Sequence, residues 1–164
     1  MYTTMKKYVI LGFTMILIYN KEELIMERKV VGFNFAEFGM EYKVEEIQKL
    51  MNYNRSEANE MLCNLLKQFI NKICDIVRDV VNDSVKDYND KFELNKVIKD
   101  VWFESCKIIN DMWFNDVLLN ENAEEIFGIR FQKFIDSVDK EIYEIAKKYP
   151  EVGDKIEKVL KEIF

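Results

Sequence analysis

The chain contains no histidine, a single proline and only five glycines. Without histidine, the Glu-x-x-His pairs of di-iron bundles and the histidine-bearing zinc spacings cannot be built. No imidazole exists to activate a serine or cysteine nucleophile. The sequence also holds no glycine-rich phosphate loop, no nucleophile elbow and no Cys-x-x-Cys pair. We therefore expect no enzyme: no catalytic residue and no cofactor are assigned. One proline and five glycines in 164 residues leave few chain breakers, which suits long helices.

Cysteine is nearly as scarce. Cys63 and Cys74 stand eleven residues apart in one helical stretch, which puts them on one face but about 16 Å apart along the axis, too far for a disulfide. With Cys106 they make an odd set of three, read as buried free thiols in a reducing cytoplasm.

What the chain has in quantity is apolar residues, 49%, and charge, 33%. Leu62, Leu66, Phe69, Ile73, Ile76 and Val80 step by four, three, four, three and four, a helical seam. Leu65, Ile70, Val77 and Val81 widen it, so this helix suits cover on two sides. The breakers place a short helix at about 44–51 and a long one from Arg55, capped by Asn54, to about Val85, where SVKDYNDKF collects turn formers. A second long helix is expected at about 94–119. A third, capped by Asn122 with Glu125, runs at about 123–148, and a short closing helix at about 154–164 follows Pro150. The expected fold is mainly all-α. It is an antiparallel bundle of three long helices plus a short C-terminal one, in a single domain over 26–164, with a short strand signal in KVVGFNF at 29–35.

Charge is uneven. Residues 26–72 carry seven basic and seven acidic residues, whereas 73–164 carry fourteen and twenty-one, an acidic body. Asp75, Asp79, Asp83 and Asp87 form a row at four-residue spacing, a candidate for a divalent ion or a basic partner, although Arg78 and Lys86 offset it locally.

The aromatic doublets Trp102-Phe103 and Trp113-Phe114 lie eleven residues apart, so they return to nearly one side of a helix three turns on. With Val97, Ile98, Val101, Ile108, Ile109, Met112, Val117 and Leu118 that helix is apolar over more than half its circumference. Either it is the central helix of the monomer, or the four aromatics are an oligomer interface.

KVVGFNF, EYKVEEIQKLM and NYNRSEANEMLCNLLKQF, together residues 29–70, resemble the ribbon-helix-helix DNA-binding family. The resemblance implies a dimer whose strands enter the major groove. It gives Lys29, Val30, Gly32 and Asn34 the groove-facing role, and the Asn54, Arg55 and Ser56 backbone a phosphate contact. Asn52 stands where that family has glycine, and Asn59 replaces an apolar core residue. The stretch EIQKLMNYNRSEANEML fits a helix-turn-helix pattern equally well. Two functions follow from the sequence: a non-catalytic cytoplasmic protein acting through a homo-oligomer, a dimer above all, or through a protein partner, and alternatively a DNA-binding regulator whose acidic helices dimerise.

Residues 1–25 combine a basic start with an apolar run from Tyr8 to Tyr19, shorter than a membrane span of about 20 residues. Three readings apply: a translated leader with Met26 as the true start, a membrane or secretory segment, or a β-hairpin turning near Gly12. Glu22-Glu23 can be encoded by a purine run resembling a ribosome-binding site a few codons before Met26, which favours the leader. We expect residues 1–25 to be dispensable. Protein expressed from Met26 should unfold as cooperatively as the full chain in a thermal melt, and a drop of several kcal/mol would place the segment in the core.

Overall fold

The structure, a computed structural model, describes residues 46–47, 49–120 and 122–163. The strand signal at 29–35 and the apolar run of 8–19 lie outside the described residues. Every regular element described is a helix: α1 (Arg55–Ser84), α2 (Tyr88–Phe114), α3 (Ala123–Ser137), α4 (Lys140–Lys147) and α5 (Pro150–Ile163). Glu46, Ile47, Lys49 and Leu50 are also helical, and the Asn54 amide closes this turn on the Leu50 carbonyl at 2.8 Å. No described helix is long and apolar enough to cross a membrane.

α1 starts where a cap dictates. The Asn54 side-chain oxygen accepts the Glu57 amide at 3.1 Å, relieving one of the amides that the first turn leaves unbonded. Its thirty residues end at Ser84, and only Val85, Lys86 and Asp87 intervene before α2. So short a connection turns the chain straight back. Cross-helix contacts follow in reverse order: Asn95 donates to Asn82, Trp102 to Asn71, the Cys63 thiol to Asn110, and Asn59 to the Trp113 carbonyl. Two antiparallel helices, about 45 and 40 Å long, form the frame.

The sequence pattern ran the turn too long. Asp87 caps α2 by accepting the Asp90 amide at 2.9 Å, so the helix begins six residues before the expected Leu94. It ends at Phe114 in a left-handed cap: Asp116 has φ 55°, its amide bonds the Trp113 carbonyl at 3.1 Å, and the Val117 amide bonds the Met112 carbonyl at 2.9 Å. Asparagine or aspartate tolerates that geometry in place of the usual glycine.

α5 packs against α1, while α3 and α4 pack against α2, so α1 is indeed covered on two sides. The expected third long helix is two helices instead. Val138 is extended (φ −64°, ψ 134°) between them, the Ser137 hydroxyl binds the Phe134 carbonyl at 2.6 Å, and Asp139 caps α4 through the Glu141 amide. Two side chains that compete for backbone groups break the helix there. Pro150 opens α5, where a missing amide costs nothing, so the closing helix begins earlier than expected. Asn122 makes no side-chain cap bond.

The core runs through all five helices, with Leu62, Phe69, Ile73, Val77, Ile98, Val101, Phe127 and Ile156 almost wholly buried. Phe127 stacks on Phe131 at 5.6 Å. Ile76 and Val80 of the expected seam are only half-buried, since a straight 3.6-residue helix drifts off a strict heptad. Ser105 is fully buried and its hydroxyl has no bonding partner among the described residues. Leu62→Ala should cost about 2–5 kcal/mol in urea unfolding. Ser105→Ala should gain about 1 kcal/mol, by removing an unsatisfied group and favouring the helix.

Candidate association surface

α2 carries two opposed faces. Its buried residues Leu94, Val97, Ile98, Val101, Ser105, Ile108, Ile109 and Met112 fall within about 120° of the circumference at about 100° per residue. A second arc of similar width holds Tyr88, Phe92, Trp102, Phe103, Trp113 and Phe114, all large and exposed. Phe114 is 81% exposed, Phe103 60% and Phe92 57%, while Trp102 and Trp113 are 37% and 39% exposed. The structure thus places the four aromatics read from the sequence outside the core and on one side of one helix. It adds Tyr88 and Phe92, which the sequence reading assigned to a turn. The signal was present: Phe92, Phe103 and Phe114 keep one eleven-residue spacing.

Exposed apolar residues occur singly on most proteins, whereas these six recur along 27 residues of one helix, interleaved with the exposed Lys96, Lys99 and Asn110. Where α2 meets α1 the row borders an open groove of about 640 Å³ lined by Asn71, Cys74, Asp75, Arg78, Asn82, Asn95, Lys99 and Trp102. The Trp102 indole N–H donates into it, to the Asn71 side chain, which fixes one edge of the ring. Apart from Trp102 and Cys74, both helices line this groove with polar or charged side chains.

The aspartate row is divided between two helices. Asp75, Asp79 and Asp83 lie on α1, with Asp75 paired to Arg78 at 3.2 Å, but Asp87 has left that helix to cap α2. Among the described residues no group of three or more His, Cys, Asp or Glu is placed to hold an ion.

Of the residues given a DNA contact by resemblance, Lys29 and Asn34 lie outside the described residues. Asn54 is the cap of α1. Arg55 donates to the Asn120 side chain at 3.0 Å and lies 3.6 Å from Asp116, joining the start of α1 to the loop after α2. Ser56 is exposed, and Glu57 sits in the first turn beside it.

The thiols are free, with Cys63 and Cys74 buried and Cys106 half-buried. Burial pushes all three above the usual thiol value, Cys74 to about 12, so they stay protonated at neutral pH. At the other end of the hairpin, the Tyr149 hydroxyl donates to Asp90 at 2.5 Å, with the Lys148 ammonium 3.6 Å from the same carboxylate. This cluster ties the α4–α5 junction to the first turn of α2. Arg130 of α3 meets Asp111 of α2 at 2.7 Å.

Comparison of the chain with protein-family models, curated proteins and solved structures finds no match.

The Asp90 bond raises the Tyr149 hydroxyl to about 12, from 10 in the unfolded chain. A raised value means the folded state holds its proton longer. The contribution is therefore complete below pH 10 and is lost as pH climbs from 10 to 12. Denaturant midpoints of the wild type should fall through that window more than those of Tyr149→Phe. Parallel curves would show that the bond is absent in solution.

Proposed function

We propose that the protein acts by association, without catalysis, and that the aromatic face of α2 is the surface it uses. One observation carries this reading: six large aromatics of a single helix are exposed on one side while the opposite side fills the core. Tryptophan, phenylalanine and tyrosine are the residues that anchor protein interfaces. Leaving them in water forgoes about 25 cal/mol per Å² of apolar area. The reading covers a homo-oligomer or a different protein as occupant, and three protonated thiols suit the reducing cytoplasm.

DNA binding through residues 29–70 rests on the sequence resemblance alone. Inside that stretch Asn54 and Arg55 are engaged within the chain, and Glu57 occupies the helix N-terminus that would meet a phosphate.

The test is made in cells with a tagged full-length chain and an amine-reactive cross-linker. Wild type should give a discrete larger adduct. Phe114→Glu should lose it while melting within a few degrees of wild type, because its ring is mostly exposed. An adduct unchanged by Phe114→Glu, or a variant that no longer folds, would remove the face from consideration.

A further inference from the structure

The three phenylalanines of the aromatic face read the same in both directions. Phe92 and Phe114 stand eleven residues on either side of Phe103. Each step of eleven advances three turns plus about 20°, so the three rings form a nearly straight stripe spanning about 33 Å. Reversing the helix about Phe103 places Phe92 where Phe114 was and leaves Phe103 in place. A surface with that property matches itself under a two-fold axis, which is the condition for an isologous dimer.

The charges around the stripe obey the same axis. Asp100 and Lys107 are exposed on the flank away from α1, seven residues or two turns apart, and their midpoint also falls beside Phe103. In a reversed copy Lys107 lies opposite the partner's Asp100, and Asp100 opposite the partner's Lys107. Lys96 falls opposite the partner's Asn110, and Lys99 is level with the partner's Lys107 but across the width of the stripe from it. Lys99 lies toward the other flank, in the groove against α1.

Resting on the association reading above, we infer that the occupant of this face is a second copy of the same chain. The two α2 helices run antiparallel about a two-fold axis at Phe103, with Phe92 against the partner's Phe114 and an Asp100–Lys107 ion pair on each side of the axis. In such a dimer each chain keeps its own α5 on α1 and its own α3 and α4 on α2.

Sedimentation of the purified full-length chain tests the partner, and charge reversal tests the register. Wild type should be a dimer, and Phe103→Glu, which sets two carboxylates together on the axis, should raise the dimer Kd at least about tenfold. Lys107→Asp and Asp100→Lys should each weaken the dimer by about three- to tenfold, and the double variant should restore it. Residues 100 and 107 are about 10 Å apart along one helix, so such rescue has no explanation within a single chain. A wild type that stays monomeric at millimolar concentration overturns the second copy. It leaves a different protein, or residues 1–45 of this chain, as the occupant and the association reading intact. A dimer indifferent to Phe103→Glu overturns this inference together with the association reading. A dimer broken by Phe103→Glu but not rescued by the double reversal overturns the antiparallel register.

Discussion

The three-residue turn between Ser84 and Tyr88 is the constraint on which the rest of the molecule hangs. It forces two helices of thirty and twenty-seven residues to lie side by side for nearly their whole length. A hairpin so evenly matched has two faces and two edges. The remaining three helices are short and attach to the flanks it offers, α5 on α1 and α3 with α4 on α2. Because α2 takes two of the three, its apolar girdle is used almost completely on the inner side. The outer side is left to the aromatics.

The open end of the hairpin shows how a polar group inside a seam is partly reconciled with burial: the Asn59 amide N–H finds an acceptor, while its Oδ1 is buried with no partner among the described residues. Asn59 is nearly buried among apolar neighbours on α1, an unlikely place for an amide. Its side-chain N–H reaches 3.0 Å across to the Trp113 carbonyl, one of the acceptors that the last turn of α2 would leave without a helical partner. The same carbonyl also takes the Asp116 amide of the left-handed cap. Arg55 joins Asp116 and Asn120 just outside. The asparagine that spoils an apolar pattern is a cap lent by one helix to the other.

Much of this architecture is legible in the residues because one interaction dominates each legible part. The Asn54 cap and the apolar spacing of α1 act within a few positions of each other, so its limits follow from the chain alone. The α2 start was hidden because Asp, Tyr, Asn and Asp in succession look like a turn, and only the Asp87 side chain reaching the Asp90 amide turns that run into a helix opening. That one error concealed Tyr88 and Phe92, and with them the symmetry of the stripe. The break at Val138 was hidden for the opposite reason: its neighbours keep a good helical apolar pattern, and the competing Ser137 and Asp139 bonds carry no hydrophobic signature. Exposure of Trp102 and Trp113 was not readable at all, since it depends on which sides of α2 the later helices occupy.

The reversed order of contacts along the hairpin also ranks them by the entropy of their formation. Asn82 and Asn95 enclose a loop of 13 residues, Asn71 and Trp102 one of 31, Cys63 and Asn110 one of 47, and Asn59 and Trp113 one of 54. Closing a loop costs more as it lengthens, but only logarithmically, and each rung once made shortens the free chain left to the next. The hairpin can therefore close like a zip from Val85 outward, by mostly local steps, which is the topology that folds quickly. The same order runs backward on opening. The Asn59–Trp113 end, where α1 begins and α2 stops, is the farthest of these four rungs from the turn and the first of them to gain freedom when the seam loosens.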